Sequence, residues 1–276
     1  VTRAADESSH WIDGRPAGAG DLAAALVNYG HLSTLQVRGR AVQGLDLHLA
    51  RLQAANLELF GSPLAPARIQ DAMASALAAA GVDDATLRIS AFARDVAAVE
   101  RGDVVPVALL VALSPPREPP AAPLRLASHV HVRALAHLKH AATLPSLHAR
   151  RQAALAGFDD ALLVAADGTI GEGALWNVGF VGADGGVVWP RAPALRGTAE
   201  ALLRAALDAA GIAQREAVLR LPDCGRFQAA FACNSAGLRA IAAIDGLRFD
   251  ADAPALARLR ALLASQPWTP VGTAVR

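Results

Sequence analysis

Five prolines fall within ten residues at Ser114-Pro115-Pro116-Arg117-Glu118-Pro119-Pro120-Ala121-Ala122-Pro123. Proline locks φ and has no amide hydrogen, so this stretch suits neither a helix interior nor a central strand. It divides the 276-residue chain into pieces of ordinary domain size. The expected organisation is a small N-terminal domain over 1–116, a proline-rich linker over 117–123 and a larger C-terminal domain over 124–276.

Upstream of the prolines, the run from Tyr29 to Val37 alternates like a strand, turns at Arg38-Gly39-Arg40 and returns as a second strand, a hairpin pattern. From Leu45 to Phe60 the period changes. Leu45, Leu49, Leu52, Leu59 and Phe60 recur at helical spacing, Asp46 is positioned to cap the start, and Gly61 and Pro63 end the helix. A second helix is expected from Pro66 to Ala80, then strands over Ala85–Phe92 and Val105–Leu113. Downstream, strands are expected at Leu124–Arg133, Ala161–Val164 and Val187–Trp189, an extended run at Thr169–Phe180, and a strand-turn-strand at Phe231–Ile244. Helices are expected over Leu144–Ala156, Leu195–Gly211 and Pro254–Ala264. Helices mixed with hairpins predict two lobes of α/β or α+β type, not a doubly wound parallel sheet.

A net charge of +1 provides no electrostatic footprint for nucleic acid or an anionic membrane. The apolar run Val104–Leu113 is too short to span a bilayer and contains Pro106. The start, Val1 to His10, is polar and shows no secretory signal. Cys224 and Cys233 form no disulfide framework, and a reducing cytoplasm is the expected location. His129, His131, His137, His140 and His148 cluster in sequence, but no Cys or carboxylate completes a metal set at ligand spacing. No Gly-x-Ser-x-Gly elbow is present. Small-molecule chemistry is the remaining class.

One residue type then stands out. Of 26 Lys+Arg, Lys139 is the only lysine. Arginine replaces lysine readily as a solvated charge, but a guanidinium cannot lose its proton and attack a carbonyl. Lys139 is therefore either a surviving surface charge or an amine with chemistry to do. The commonest partner of such an amine, pyridoxal phosphate, also asks for an acid at its ring nitrogen and a cradle for its phosphate. Glu172, between Gly171 and Gly173, is a candidate acid. Leu195-Arg196-Gly197-Thr198-Ala199, opening a helix, and the turn Cys233-Asn234-Ser235-Ala236-Gly237 are candidate cradles. Each of these also reads as a plain cap, turn or solvated carboxylate.

Taken together, Lys139 and Glu172 and the block running from Leu138-Lys139-His140 through Gly157-Phe158-Asp159-Asp160-Ala161-Leu162-Leu163 to Asp167-Gly168-Thr169-Ile170-Gly171-Glu172-Gly173-Ala174-Leu175-Trp176-Asn177-Val178-Gly179-Phe180 resemble the class IV aminotransferases. These fold-type IV pyridoxal-phosphate enzymes include branched-chain and D-amino-acid aminotransferases and 4-amino-4-deoxychorismate lyase. The likeness spans Trp11 to Leu247. It implies a small α/β domain, a larger domain built on a pseudo-barrel sheet, and a homodimer. It also implies a Schiff base on Lys139, which then moves the substrate proton. Glu172 would meet the pyridine nitrogen, and Arg51, in His48-Leu49-Ala50-Arg51-Leu52, the phosphate. Ser235, with Asn234 beside it, and the backbone at Gly197 and Thr198 would complete the phosphate contacts, with Asn177 near the cofactor. Tyr29, His31, Ser33 and Arg94 are the candidate substrate contacts.

Three departures from the family pattern stand out. The tyrosine expected shortly after the lysine is absent from Lys139-His140-Ala141-Ala142-Thr143-Leu144, which leaves the role there to Thr143, His140 or neither. The family's Gly-Ile-Thr appears as Gly197-Thr198-Ala199, and its Phe-Glu-Thr-Leu-Arg-like segment as Leu32-Ser33-Thr34-Leu35-Gln36. The implied activity is transfer of an amino group from an amino acid or amine to a 2-keto acid. The alternatives are a lyase of the aminodeoxychorismate type that releases pyruvate, and a degenerate, non-catalytic relative.

Overall fold

The computed structural model describes residues 9–272, so the polar start from Val1 to Ser8 lies outside the described residues. The chain divides into two compact units. The first takes the described residues up to Arg117, then Leu138–Ala142 and the stretch from Pro267 onward; the second takes Glu118–His137 and Thr143–Gln266. The boundary near the prolines is thus one of several crossings, and two segments expected in the C-terminal domain pack with the N-terminal one.

In the first unit the elements are β1 (Ser9–Ile12), β2 (Arg15–Pro16), α1 (Ala19–Ala25), β3 (Gly30–Val37), β4 (Ala41–Gln43), α2 (Leu45–Phe60), α3 (Pro66–Ala80), β5 (Ala85–Ala93), α4 (Val96–Glu100) and β6 (Val107–Ser114). Five strands form one sheet in the order β2-β1-β6-β5-β3. The expected hairpin after Val37 closes only through the Arg38–Ala41 bridge; β4 instead pairs with the strand Trp268–Pro270. The core joins Leu35, Val37, Leu87, Ile89, Leu109 and Val111 from the sheet to Leu45, Leu52, Phe60, Ile69, Met73 and Leu77 from α2 and α3. Each such fully buried side chain contributes roughly 2 kcal/mol of apolar transfer energy. Gly44, not Asp46, is the residue before α2. It makes no side-chain cap, and Asp46 lies in the first turn, where its charge suits the helix dipole.

Along β3 the side chains of His31, Ser33, Leu35 and Val37 share one face by the strand period. Leu35 and Val37 join the apolar core, whereas His31 and Ser33 meet polar groups of α2.

The second unit continues with β7 (Leu124–Val130), α5 (Leu144–Leu155), β8 (Asp160–Val164), β9 (Ile170–Gly173), β10 (Asn177–Val181), β11 (Val187–Pro190), α6 (Thr198–Ala209), β12 (Gln214–Ala217), β13 (Ala229–Asn234), β14 (Gly237–Ile244), β15 (Leu247–Arg248) and α7 (Pro254–Ala264). Its nine-stranded sheet runs β12-β11-β10-β13-β14-β7-β8-β9, with β15 beside β14. β9, last in that order, comes back against β10 and β11, so the sheet curls into the half-barrel of a mixed α/β fold. α6 and α7 cover one face through Leu203, Leu207, Leu256 and Leu259 against Phe231, Leu238 and Trp189. Phe180, Trp176, Leu162, Ile170 and Ile241 fill the other face.

The extended run read over Thr169–Phe180 is two strands. It breaks because the Trp176 indole lies against Gly173, where a Cβ would come within 2.1 Å of the ring, and the indole N–H donates to Asp160 Oδ2 at 3.2 Å.

Candidate functional site

In the first unit the sole lysine is held by backbone pairing rather than by a helix or a regular strand. Leu32 N donates to the Lys139 carbonyl at 2.9 Å, Ala141 N donates to the Gly30 carbonyl at 2.8 Å, and His31 and His140 form an antiparallel bridge. The segment therefore lies along the free edge of β3. Beside it, Arg51 Nη2 donates to Ser33 Oγ at 2.5 Å, and Ser33 Oγ lies 2.7 Å from His48 Nδ1. Arg51 Nε is buried with no hydrogen-bond partner among the described residues, an unmet donor in a site that carries the guanidinium charge. Burial lowers Arg51 to about 10. Burial, then the charges of Arg51 and of Lys139, push His48 well below the ordinary histidine value. The lysine's charge is therefore felt at His48, one hydrogen bond from the serine that holds Arg51.

The other candidates of this unit have partners of their own. His31, 1% exposed, faces Asn56 Oδ1 at 3.3 Å. Burial lowers it to about 4, with Arg51 adding to the shift and Asn56 opposing it. Tyr29 donates to the Leu59 carbonyl at 3.2 Å and packs edge-on against Phe60. Arg94 pairs with the buried Asp21 and with Asp13 in an ion network whose exposed arginines also include Arg15 and Arg68.

In the second unit Glu172 sits in β9, 5% exposed, and accepts from Arg133 Nη1 at 2.9 Å. A small cleft beside it is lined by His131, Arg133, Gly171, Glu172 and Pro193. Of the two glycines flanking the acid, Gly173 is covered by the chain's own Trp176 and Gly171 makes ordinary contacts. The flat group that uses the Gly173 surface is thus an indole.

Asn177, at the start of β10, pairs in register with Cys233, which brings it to the same end of the sheet as the Asn234–Gly237 turn holding Ser235. Asn234 Oδ1 accepts from Ala236 N at 2.9 Å and shapes that turn. Asn177 Nδ2 donates to the Leu195 carbonyl at 2.5 Å, and a Cβ on Gly197 would come within 2.2 Å of Asn177 Oδ1. Asn177 thus forms the turn that delivers Gly197 and Thr198 to the start of α6, where unpaired amides gather. Arg196, considered for the phosphate cradle, pairs instead with Glu200 at 3.0 Å and bonds the Pro190 carbonyl. Thr143 precedes α5 without a side-chain cap bond.

Two residues of these clusters escaped the sequence reading, His48 and Arg133. His48 carried a signal, since it lies three residues before Arg51 on α2 and so shares its face. Arg133, six residues before the lysine, carried none beyond its charge.

The family model for amino-transferase class IV matches residues 30–244. No curated protein matches the sequence. Among solved structures, the branched-chain aminotransferase of Thermoproteus uzoniensis with norvaline has TM-score 0.82 at 19% identity, covering 96% of this chain and 99% of that one. The branched-chain amino acid aminotransferase of Thermobaculum terrenum in its PLP form has TM-score 0.81 at 19% identity, covering 98% and 100%. A Legionella pneumophila subsp. pneumophila str. Philadelphia 1 structure that carries the name 4-amino-4-deoxychorismate lyase has TM-score 0.76 at 20% identity, covering 87% and 92%. With the family model matched over well more than half of its length, the chain belongs to the class IV aminotransferase family.

Proposed function

We propose that this chain is a pyridoxal-phosphate-dependent aminotransferase that moves an amino group from an amino acid or amine to a 2-keto acid. One observation carries the proposal: the sole lysine and a buried guanidinium with an unmet donor lie in one unit, joined through β3. A phosphorylated aldehyde needs both groups, one for each end. The turn held by Asn177 fits the same cofactor, since it opens a helix whose first backbone amides have no partner within the helix. When bound, pyridoxal phosphate supplies the aldehyde that takes up the amino group and the ring that accepts the electron pair released at the substrate Cα.

The protein's own groups divide the remaining work. Arg51, the Gly197–Thr198 amides and Ser235 bind the phosphate and fix the orientation of the ring. Glu172 accepts at the ring nitrogen, with its carboxylate steadied by Arg133. Lys139 is the amine that gives way to the substrate, takes the Cα proton and returns it to the carbon that carried the aldehyde. Asn177 acts by shaping the turn. We expect two copies of the chain to complete the enzyme.

A lyase that releases pyruvate from aminodeoxychorismate is the second reading. His140 directly after the lysine and the fold likeness to the Legionella structure favour it.

Borohydride reduction followed by peptide mapping tests the cofactor assignment, with a phosphopyridoxyl adduct expected on Lys139. Absence of any adduct would overturn it and favour a non-catalytic relative. Incubation with amino acids and no acceptor separates the two activities. Accumulation of a pyridoxamine-type absorbance supports the transferase, and pyruvate release from aminodeoxychorismate without that absorbance supports the lyase.

A further inference from the structure

The hydrogen bonds around Arg51 are ordered by what each group can donate and accept. A guanidinium only donates, so Ser33 Oγ is the acceptor of the Arg51 Nη2 bond at 2.5 Å. Ser33 Oγ has no further hydrogen-bond partner among the described residues, so its buried proton is assigned to His48 Nδ1 at 2.7 Å, which leaves the imidazole proton on Nε2. Arg51 Nη2 also lies 3.4 Å from that same Nδ1. Ser33 is fully buried and His48 is 3% exposed, so no solvent competes for either bond. Ser33 is held by β3 and His48 by the same turn of α2 as Arg51, so strand and helix clamp one end of the guanidinium from two sides. Neither partner brings a negative charge when His48 is neutral. The arginine is therefore oriented without being neutralised, and Nε remains free for an anion.

We propose that Ser33 and His48 are positioning residues for the cofactor-phosphate contact of Arg51. The serine hydroxyl relays the guanidinium's hydrogen bond to a neutral imidazole, keeping the guanidinium aimed and its charge available. This rests on the assignment of Arg51 to the cofactor phosphate. It removes Ser33 from the substrate contacts and gives it work on the cofactor side.

The test compares two ligands on the full-length protein stripped of cofactor: pyridoxal phosphate and pyridoxal, which has the aldehyde but no phosphate. Ser33→Ala and His48→Gln should each raise the dissociation constant of pyridoxal phosphate roughly tenfold, the weight of one charge-assisted hydrogen bond, and leave that of pyridoxal unchanged. His48→Asn keeps an acceptor near the Nδ1 position and should recover most of the loss. Where Ser33→Ala does not fold, Ser33→Cys, which nearly keeps the volume but offers only a weak acceptor, carries the same expectation.

Parallel losses for both ligands would mark a merely structural role and overturn the proposal. So would no loss for either ligand, or a His48→Asn variant no better than His48→Gln. Arg51→Gln separates the two levels. If it does not weaken pyridoxal phosphate relative to pyridoxal, the phosphate assignment itself falls and the relay with it. If it does while the Ser33 and His48 variants retain wild-type discrimination, only the relay falls.

Discussion

At Gly197 a single hydrogen separates a working turn from a blocked one. A methyl there would collide with Asn177 Oδ1, which is held in place by the Leu195 carbonyl. Gly197→Ala should therefore cost about 1–3 kcal/mol of stability by overpacking and weaken pyridoxal phosphate binding more than pyridoxal binding; thermal melting and ligand titration read the two effects. Lys139→Arg keeps the charge beside β3 but removes the only lysine amine. It should fold, bind cofactor without the aldehyde-lysine absorbance, and lose activity by several orders of magnitude. The Gly197-Thr198 pair and the lone lysine could be singled out from residue type alone. The role of Asn177 was not, because its partner, the Leu195 carbonyl, is a backbone atom eighteen residues away.

Among the elements, α2 and β3 show where periodicity succeeds and where it stops. The bounds of α2, Leu45–Phe60, were readable from leucine spacing and a closing glycine. Spacing says nothing about the polar residues on the buried side, and His31, Ser33, His48 and Asn56 form a polar seam inside an otherwise apolar helix-on-sheet contact. This seam predicts a pH dependence. His31 is lowered to about 4 and His48 is also lowered, so between the ordinary value of 6.5 and about 4 the unfolded chain binds protons that the native chain does not. Stability should be full above pH 6.5 and fall as the pH drops toward 4, with a shallower slope in His48→Asn; denaturant unfolding across that range measures it. Asp21 and Asp167 are also held below the ordinary carboxylate value, so their contribution is lost only at lower pH. In the second unit, Trp176→Phe should cost about 1–2 kcal/mol by stripping the buried Asp160 of its indole donor. Arg133→Met, which removes a buried cation from Glu172, should cost roughly 3 kcal/mol.

For the whole molecule, composition and proline placement were enough to expect two lobes of mixed α/β structure, and the family resemblance supplied the curled sheet. The interleaving was not legible. Nothing in Ala136-His137-Leu138-Lys139-His140 reports that its backbone will pair with Gly30 and Leu32 more than a hundred residues earlier. Likewise nothing in Trp268-Thr269-Pro270 announces β4 as its partner. Long-range pairing of this kind is decided by edges that exist only once the rest of the sheet has formed. Deleting residues 267–276 should accordingly weaken the first unit, which loses the β4 pairing and the buried Val271. Hydrogen exchange should show faster exchange in β4 and α3 than in α6 and α7.

The same interleaving bears on how the protein is made. On a ribosome, the first unit emerges with two vacancies in it, one filled by the lysine segment and the other by the stretch from Pro267 onward, which follows the whole of the second unit. The first unit is therefore finished only after the second has been translated, and the Lys139 segment joins it before that.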